Sequence, residues 1–230
     1  MRNKTMLALT LIAISCLTPA LLSAHQLSSK DARFVQLIDG VAVIPYMYLG
    51  AKHMVTGYDH LLFLVGVIFF LYKLKDILLY VSMFTIGHSI TLLGGVLLGI
   101  HANARIVDAI IGLSVVYKGF DNLGGFKSFL GFQPNTRAAV LIFGLFHGFG
   151  LATKLQQFVL SKNGLVANIV SFNVGVEIGQ VLALTAILIS LSYWRSNPSY
   201  RRHAYASNAV LMAAGFVLMG NQLTGYFVSQ

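Results

Sequence analysis

The chain has 230 residues, of which 57% are hydrophobic and only 10% are charged, and its formal net charge is +9. This composition excludes an ordinary soluble domain, which carries about 25% charged residues. The basic surplus does not predict nucleic-acid binding, because the cytoplasmic loops of membrane proteins also collect Lys and Arg. Several apolar runs are each long enough to cross a ~30 Å hydrocarbon core. The sequence therefore predicts an all-α fold, a polytopic helical bundle in the lipid bilayer.

Residues 1–24 have the layout of a secretory signal peptide. A basic start, MRNK, precedes an apolar stretch broken by Pro19, and the small residues LSA lead to a cleavage site after Ala24. An uncleaved first helix is the structural alternative. The only cysteine, Cys16, lies in this segment, so the mature chain would have no disulfide and no thiolate ligand.

After the signal peptide we predict a single membrane domain, 25–230, in which 25–45 form a short external segment. About six transmembrane helices follow, separated by loops rich in helix-breaking residues. They are predicted at 46–72, 77–100, 104–123, 136–160, 166–194 and 204–228.

The loop charges predict the orientation. A cleaved signal places the mature N-terminus outside the bacterial inner membrane, and basic residues then accumulate in the inside loops, as is typical of membrane proteins. The inside loops carry Lys73, Lys75, Lys127, Arg137, Arg195, Arg201 and Arg202, and the outside loops carry Arg105 and Lys162.

The first helix begins with the motif HMVTGYDH, residues 53–60. His53 and His60 are predicted to share one face of this helix, ~10 Å apart along its axis, with His53 at the outer mouth. Asp59 can add a ligand or accept the second ring N–H of a histidine. This arrangement predicts that an ion is passed from one histidine to the next.

Further ionisable residues lie within the second, fourth and fifth helices, at His88, His147 and Glu177. At 1.5 Å per residue, these three and His60 fall within about 6 Å of one another in depth. Such residues face the interior of a bundle and mark ion paths or active sites, and imidazole with carboxylate suits Ni, Co, Zn, Cu or Fe. Each histidine alone would more often be a packing residue, but the set favours a metal or proton function. The predicted metal ligands are His53, Asp59, His60, His88, His147 and Glu177.

Polar neighbours are predicted to support this site. A hydroxyl-lined stripe surrounds His88, and two amides lie on the same face as Glu177. The small-residue patterns GLFHG and GVEIG predict close approach of the fourth and fifth helices. The supporting residues are Thr85, Ser89, Thr91, Asn173 and Gln180.

The third helix carries three lesser candidates, Asp108, Lys118 and Asp121. They either line the cytoplasmic half of a path, or Lys118 and Asp121 merely pair at the interface. We favour the pairing.

At these residues the chain resembles the HupE/UreJ family of hydrogenase- and urease-associated membrane proteins, which are regarded as nickel or cobalt permeases. The resemblance rests on HMVTGYDHLLFL, FTIGHSITL, FGLFHGFGLA and FNVGVEIGQ, over about residues 45–190. The first stretch reads H-x5-D-H and is similar to the H-x4-D-H signature of the wider nickel/cobalt transporter group. The resemblance implies that His53, Asp59 and His60 are essential for transport, and that His88, His147 and Glu177 complete the pathway.

The predicted function is a permease for a divalent transition metal ion, nickel or cobalt, and delivery to a nickel metalloenzyme maturation system is an implied partnership. No catalytic residue is predicted on this interpretation. The alternative is an intramembrane zinc hydrolase that uses the same cluster, with Glu177 or Asp59 as general base. A metal sensor or chaperone-like subunit is a third interpretation.

Overall fold

The computed structural model describes residue 35, residues 37–157 and residues 162–229. The predicted signal peptide, 1–24, and most of the external segment, 25–45, therefore lie outside the described residues. The part of the chain that is described is helical and contains no strand. The all-α fold is confirmed.

Seven α-helices and one π-helical turn make up the described chain. The α-helices are α1 Val43–Thr56, α2 Tyr58–Ile68, α3 Leu74–Leu98, α4 Ala104–Asn122, α5 Thr136–Leu155, α6 Leu165–Arg195 and α7 Ser199–Val228, and the π-helical turn is Phe126–Leu130.

Local signals fix several of these ends. The side chains of Asn103 and Asn135 accept hydrogen bonds from the first backbone N–H groups of α4 and α5, as N-cap residues do. Gly99 ends α3 in the left-handed conformation, with φ of 63°. These caps explain why the predicted starts of the third and fourth helices agree with the structure.

Three predicted helices differ from the observed ones. The fourth, predicted at 136–160, ends at Leu155. The predicted helix 46–72 is not continuous, because the chain leaves the helical conformation at Gly57 and again after α2. The last helix begins at Ser199, five residues before the predicted start at 204, and includes basic residues that we placed in a loop.

The helices pack mainly in three pairs, α3 with α5, α1 with α6, and α4 with α7. Glycines allow each pair to approach closely. A Cβ at Gly87 of α3 would lie 2.5 Å from the carbonyl oxygen of Leu141 in α5, and a Cβ at Gly215 of α7 would lie 2.6 Å from the backbone nitrogen of Val116 in α4. Small residues at helix contacts are the usual means of packing helices in membranes.

The C-terminal end of the short helix α2 is fixed by hydrogen bonds from side chains that follow in the chain to its last carbonyl oxygens. Arg195 of α6 donates from Nη2 to the carbonyl oxygens of Ile68 and Phe69 at 2.7 and 2.6 Å, and the Tyr200 hydroxyl donates to the Phe69 oxygen at 3.0 Å. These bonds satisfy acceptors that the end of a helix leaves without partners. They anchor the end of α2 opposite to the one that carries Asp59 and His60.

The distribution of side chains is that of a membrane protein. The helices α3, α5, α6 and α7 are long and apolar enough to cross a membrane. Large apolar residues such as Ile90, Val181 and Phe216 are exposed, while Asp108 and Lys118 are buried. Apolar groups outside and ionisable groups inside are expected for a bundle whose solvent is lipid.

Candidate metal centre

The helix break at Gly57 builds the first part of the site. Helices α1 and α2 meet at this glycine, so the motif HMVTGYDH is divided between them. A Cβ at Gly57 would lie 3.0 Å from the His53 carbonyl oxygen and 3.1 Å from His60 Nδ1, so any larger residue would crowd the turn. Asp59 lies in the first turn of α2, where the helix dipole favours a negative charge.

The break brings the two histidines of the motif together. On a continuous helix, His53 and His60 would be ~10 Å apart along the axis, whereas their ring centroids are 5.2 Å apart. The rings therefore lie closer together than the helical rise alone suggests, because the chain turns between the two residues. His53 is half-buried at the end of α1, and His60 is fully buried at the start of α2.

His60 is the centre of a cluster of four imidazoles. Its ring centroid is 4.7 Å from that of His147 and 5.8 Å from that of His88, in addition to the contact with His53. His60 and His147 are 0% exposed and His88 is 1% exposed. Four separate helices, α1, α2, α3 and α5, thus contribute one imidazole each to a single buried position.

Asp59 adds a carboxylate to this cluster. Its Oδ1 is 3.0 Å from His60 Nδ1 and accepts the ring N–H, which leaves Nε2 of His60 with the lone pair. One ligand atom each from Asp59, His60 and His147 lies within 4.8 Å of the others. Two ligands that are both ~2.1 Å from one ion are at most ~4.2 Å apart. A small movement of these side chains would therefore allow them to share a cation.

Ser114 of α4 orients His147. The serine hydroxyl donates to the Ile111 carbonyl oxygen at 2.6 Å, so its oxygen is an acceptor for the Nε2–H of His147 at 3.1 Å. This assignment leaves Nδ1 of His147 with the lone pair. A metal-binding histidine commonly donates its other ring N–H in this way, which fixes the tautomer and the ring.

His88 is a further candidate ligand whose ring lies beside that of His60. It is almost completely buried, and neither nitrogen has a hydrogen-bond partner among the residues that the structure describes. A buried polar atom without a partner is costly and requires an explanation, of which an ion is one. His88 is therefore a candidate ligand from α3.

Aromatic rings enclose the cluster. The ring centroids of Phe63 and Phe84 are 5.3 and 5.1 Å from that of His147, and the Phe172 ring is 6.3 Å from that of His53. Phe63, Phe84 and Phe172 are 0% exposed. Charges interact more strongly in such surroundings than in water, so the Asp59 carboxylate would attract a cation strongly here.

Close packing of α3 on α5 positions two of the histidines. A Cβ at Gly144 would lie 2.5 Å from the Phe84 carbonyl oxygen, and a Cβ at Gly148 would overlap the carbonyl oxygen of His88. The Thr91 hydroxyl donates to the Leu145 carbonyl oxygen at 2.6 Å and joins the same two helices. The close approach predicted from GLFHG thus occurs. The partner of α5 is α3, however, and not α6 as the sequence predicted.

Glu177 is not part of the cluster. Its side chain is exposed on the outward face of α6, on the same side as the exposed apolar residues Val174 and Ile178. The glycines of GVEIG pack against α1. A Cβ at Gly179 would lie 2.5 Å from the carbonyl oxygen of Ala51 in α1. The predictions that Glu177 faces the histidines and that its glycines contact the fourth helix are therefore wrong.

The predicted supporting residues form bridges between helices. The Thr85 hydroxyl donates to Gln180 Oε1 at 3.0 Å, and Asn173 Nδ2 donates to Ser89 Oγ at 3.0 Å. Both bonds join α3 to α6. Asn173 also approaches Glu177 at 3.5 Å, which is at the limit of a hydrogen bond.

Comparison with protein families identifies the family to which the chain belongs. A family model described as HupE / UreJ protein matches residues 29–230. The chain belongs to the HupE/UreJ family. This family is associated with accessory and transport functions for nickel and cobalt. Searches of curated proteins and of solved structures give no match.

Two features of this HupE/UreJ protein were missed in the sequence. Ser114 was overlooked, because a single serine in an apolar helix gives no signal of its own. Lys154 was also overlooked, and its ammonium pairs with the Asp108 carboxylate at 2.9 Å, linking α5 to α4. Lys154 is seven residues after His147 and thus on the same helical face, which is the signal that a search for it would use.

The predicted pairing of Lys118 with Asp121 is observed. Their side chains form an ion pair at 2.5 Å within α4, and each is 8% exposed. Lys118 and Asp121 are separated by three residues, a spacing that places them on one face of the helix.

Proposed function

We propose that this HupE/UreJ protein is a permease that carries a divalent transition metal ion, nickel or cobalt, across the bacterial inner membrane. The observation that carries the proposal is the buried set Asp59, His60 and His147, whose ligand atoms lie within 4.8 Å of one another. Ionisable groups inside a membrane bundle are costly and mark ion paths or active sites. Imidazole and carboxylate suit nickel and cobalt, and the family association favours these ions over others.

The break between α1 and α2 supports transport specifically. Many transporters bind ions where a membrane helix is discontinuous, because the ends of the two half-helices point their dipoles at the site. Here the carbonyl end of α1, near His53, attracts a cation, and α2 begins with the Asp59 carboxylate. We therefore assign α1 and α2 together to one broken membrane crossing.

The proposed topology has six crossings, with α1 and α2 counted as one. Helix α4 has 19 residues and is the most highly charged crossing, and the ion pairs of Asp108 and Lys118 reduce the cost of burying it. The loop charges support a mature N-terminus outside. The end of α4 at Asn122 then lies near the inner surface, and the end at Ala104 near the outer surface.

In the proposed mechanism, His53 receives the ion first, because it is the least buried imidazole of the cluster. Asp59, His60 and His147 then bind the ion, with His88 as a further ligand. Imidazole must be neutral to bind a metal, so proton exchange would accompany binding and release. A maturation system for a nickel enzyme is the proposed recipient inside the cell. Family membership does not favour the zinc hydrolase alternative.

Uptake of radioactive nickel and cobalt by expressing cells tests the proposal. We expect wild-type cells to accumulate one of these ions above cells without the protein. His53→Ala should lower the initial rate about tenfold, since it removes an imidazole from the mouth of the cluster. His101→Ala is the matched control, because His101 is exposed in a loop and should have no effect. Equal uptake with and without the protein would refute the permease.

A second expectation concerns Glu177, for which the structure and the family resemblance disagree. Glu177→Gln should leave the nickel content of the purified protein within about twofold of wild type, because a change of an exposed side chain has little effect elsewhere. The measurement is metal content per protein after equilibration with nickel. A large loss of nickel would show that Glu177 contributes to the site, as the resemblance implies.

A further inference from the structure

A line of polar side chains extends from the cluster along one face of α4. Ser114, which contacts His147, is followed by Lys118 at i+4 and Asp121 at i+7, a spacing that keeps all three on the same side of the helix. Ser114 is 0% exposed and Lys118 is 6% exposed. Each turn of the helix advances ~5.4 Å, so the line covers about two turns below the histidines.

The middle of this line is the buried pair of Lys118 and Asp121. The stem of Lys118 crosses Gly66 of α2, where an added Cβ would lie 2.9 Å from Lys118 Cγ. A buried ion pair adds little to stability over an apolar pair of the same size, because both charges must leave water. Packing alone therefore does not account for an ammonium and a carboxylate at this position.

The lower end of the line reaches the surface. Gln133 is exposed and donates from Nε2 to Asp121 Oδ1 at 2.5 Å. Counted over whole residues, Lys118 and the histidines next to Ser114 are buried, Asp121 is half-buried and Gln133 is exposed. In the proposed topology this end faces the inside of the cell.

The helices around the line are held by a separate set of hydrogen bonds. Asn122 Nδ2 donates to the Gly66 carbonyl oxygen at 2.8 Å and to Asn208 Oδ1 at 2.7 Å, which joins α4 to α2 and α7. These helices are thus also joined by hydrogen bonds in which Lys118 and Asp121 take no part.

We propose that Asp121 is a second binding position for the divalent cation, at which the Lys118 ammonium is held until the ion arrives. This inference rests on the proposed function and adds to it a position from which the metal ion leaves on the inner side. Lys118 has a flexible stem with a compact charge, so it can release the carboxylate without movement of the backbone. An oxygen ligand binds nickel or cobalt less tightly than an imidazole cluster does. A weak position beside the inner surface allows the ion to leave, which a tight one would prevent.

Two single variants separate this role from a structural one. Asp121→Asn keeps the ammonium but removes the ligand, and Lys118→Met keeps the ligand but removes the ammonium. We expect initial nickel or cobalt uptake to fall at least about tenfold in Asp121→Asn and to stay above about half of wild type in Lys118→Met. If the pair were only structural, the two variants would have similar effects, because each leaves one buried charge without its partner.

The double variant Lys118→Met/Asp121→Asn covers the case in which a single variant fails to fold, because it leaves no unpaired charge in the bundle. Uptake by the double variant should remain at least about tenfold below wild type. Uptake at the wild-type level would overturn the inference, since a structural pair can be replaced by uncharged groups. The purified double variant should keep the tight nickel binding of the histidine cluster and lose only the weaker binding at position 121, which shows that the cluster is intact.

Asp76→Asn is the matched control, because Asp76 is a half-buried carboxylate at the start of α3, in the loop assigned to the inside. It should take up metal at the wild-type rate. The two proposals fail in different ways. Absence of uptake by the wild type refutes the permease, whereas normal uptake by both wild type and Asp121→Asn refutes only the exit position.

Discussion

Asp59→Asn is expected to lower the affinity of the purified protein for nickel or cobalt about 100-fold or more. The substitution keeps the size of the side chain and removes its charge from a cluster that is otherwise made of imidazole rings. Two unit charges 4 Å apart gain about 4 kcal/mol at an effective dielectric constant of 20, and a divalent ion gains more. A 100-fold loss corresponds to about 2.8 kcal/mol, so it needs only part of this interaction. Titration calorimetry or equilibrium dialysis with purified protein measures the change.

Glu177→Gln is the matched control for this experiment, because it makes the same chemical change on an exposed carboxylate. Asp59→Asn also removes the acceptor that orients His60, since an amide can present its NH2 group to the ring. Both effects act in the same direction. If Asp59→Asn and Glu177→Gln bind the metal equally well, the buried cluster is not the metal site.

The importance of Asp59 follows from the other charges nearby. Asp108 is also buried, but the Lys154 ammonium lies 2.9 Å from its carboxylate and compensates its charge. Asp121 is compensated by Lys118 in the same way. Asp59 differs from both, because its Oδ1 lies 3.0 Å from the ring of His60, which carries a positive charge only when protonated. A divalent cation held by the cluster would therefore interact directly with this carboxylate.

The sequence was sufficient to predict which histidines lie together, because the cost of burying them is visible in it. Histidines in apolar runs are rare enough that His60, His88 and His147 could be selected together, and their predicted common depth agrees with the short distances between their rings. The prediction required only the rise per residue of a helix and the approximate ends of each run.

The sequence could not predict the break at Gly57. A glycine costs only about 1 kcal/mol relative to alanine inside a helix, and the residues on both sides of Gly57 are compatible with helix. At the break the chain brings the His53 carbonyl oxygen and His60 Nδ1 close to this glycine, so that a Cβ there would lie 3.0 and 3.1 Å from them. Those contacts involve ring positions that a helical repeat does not describe.

The direction of Glu177 was also beyond the sequence. Helix α6 is apolar around most of its circumference, so its pattern does not distinguish the buried face from the lipid-facing one. The flanking glycines correctly predicted a close helix contact, but α1 and α5 were equally suitable partners on that basis. Only the packing of Gly179 against Ala51 assigns the contact to α1 and leaves Glu177 outside.

Gly148→Ala is expected to destabilise the protein by about 3 kcal/mol, at the upper end of the usual range for overpacking. The added Cβ would overlap the His88 carbonyl oxygen and lie 2.6 Å from Thr91 Oγ1. Backbone atoms cannot turn aside as a side chain can, so α3 and α5 must separate. The separation would weaken the bond from Thr91 to the Leu145 carbonyl oxygen, now 2.6 Å long. The measurement is the thermal unfolding midpoint of purified protein in detergent.

The unfolding experiment must be done with a metal chelator present, because an ion that binds only the folded state would itself raise the midpoint. Gly94→Ala is the matched control, since Gly94 lies within α3 and nothing is within 4 Å of the position of its Cβ. That substitution should be neutral or stabilise the protein by up to about 1 kcal/mol, because alanine is the better helix former. Opposite shifts for the same chemical change would therefore identify the contact between α3 and α5 as the cause.

The contact also holds His88 next to His147, so Gly148→Ala should lower nickel affinity while Gly94→Ala should not. Equal midpoints for the two variants would mean that the helices are farther apart than the packing at Gly148 requires, and the histidines of α3 and α5 would then be too far apart to share an ion.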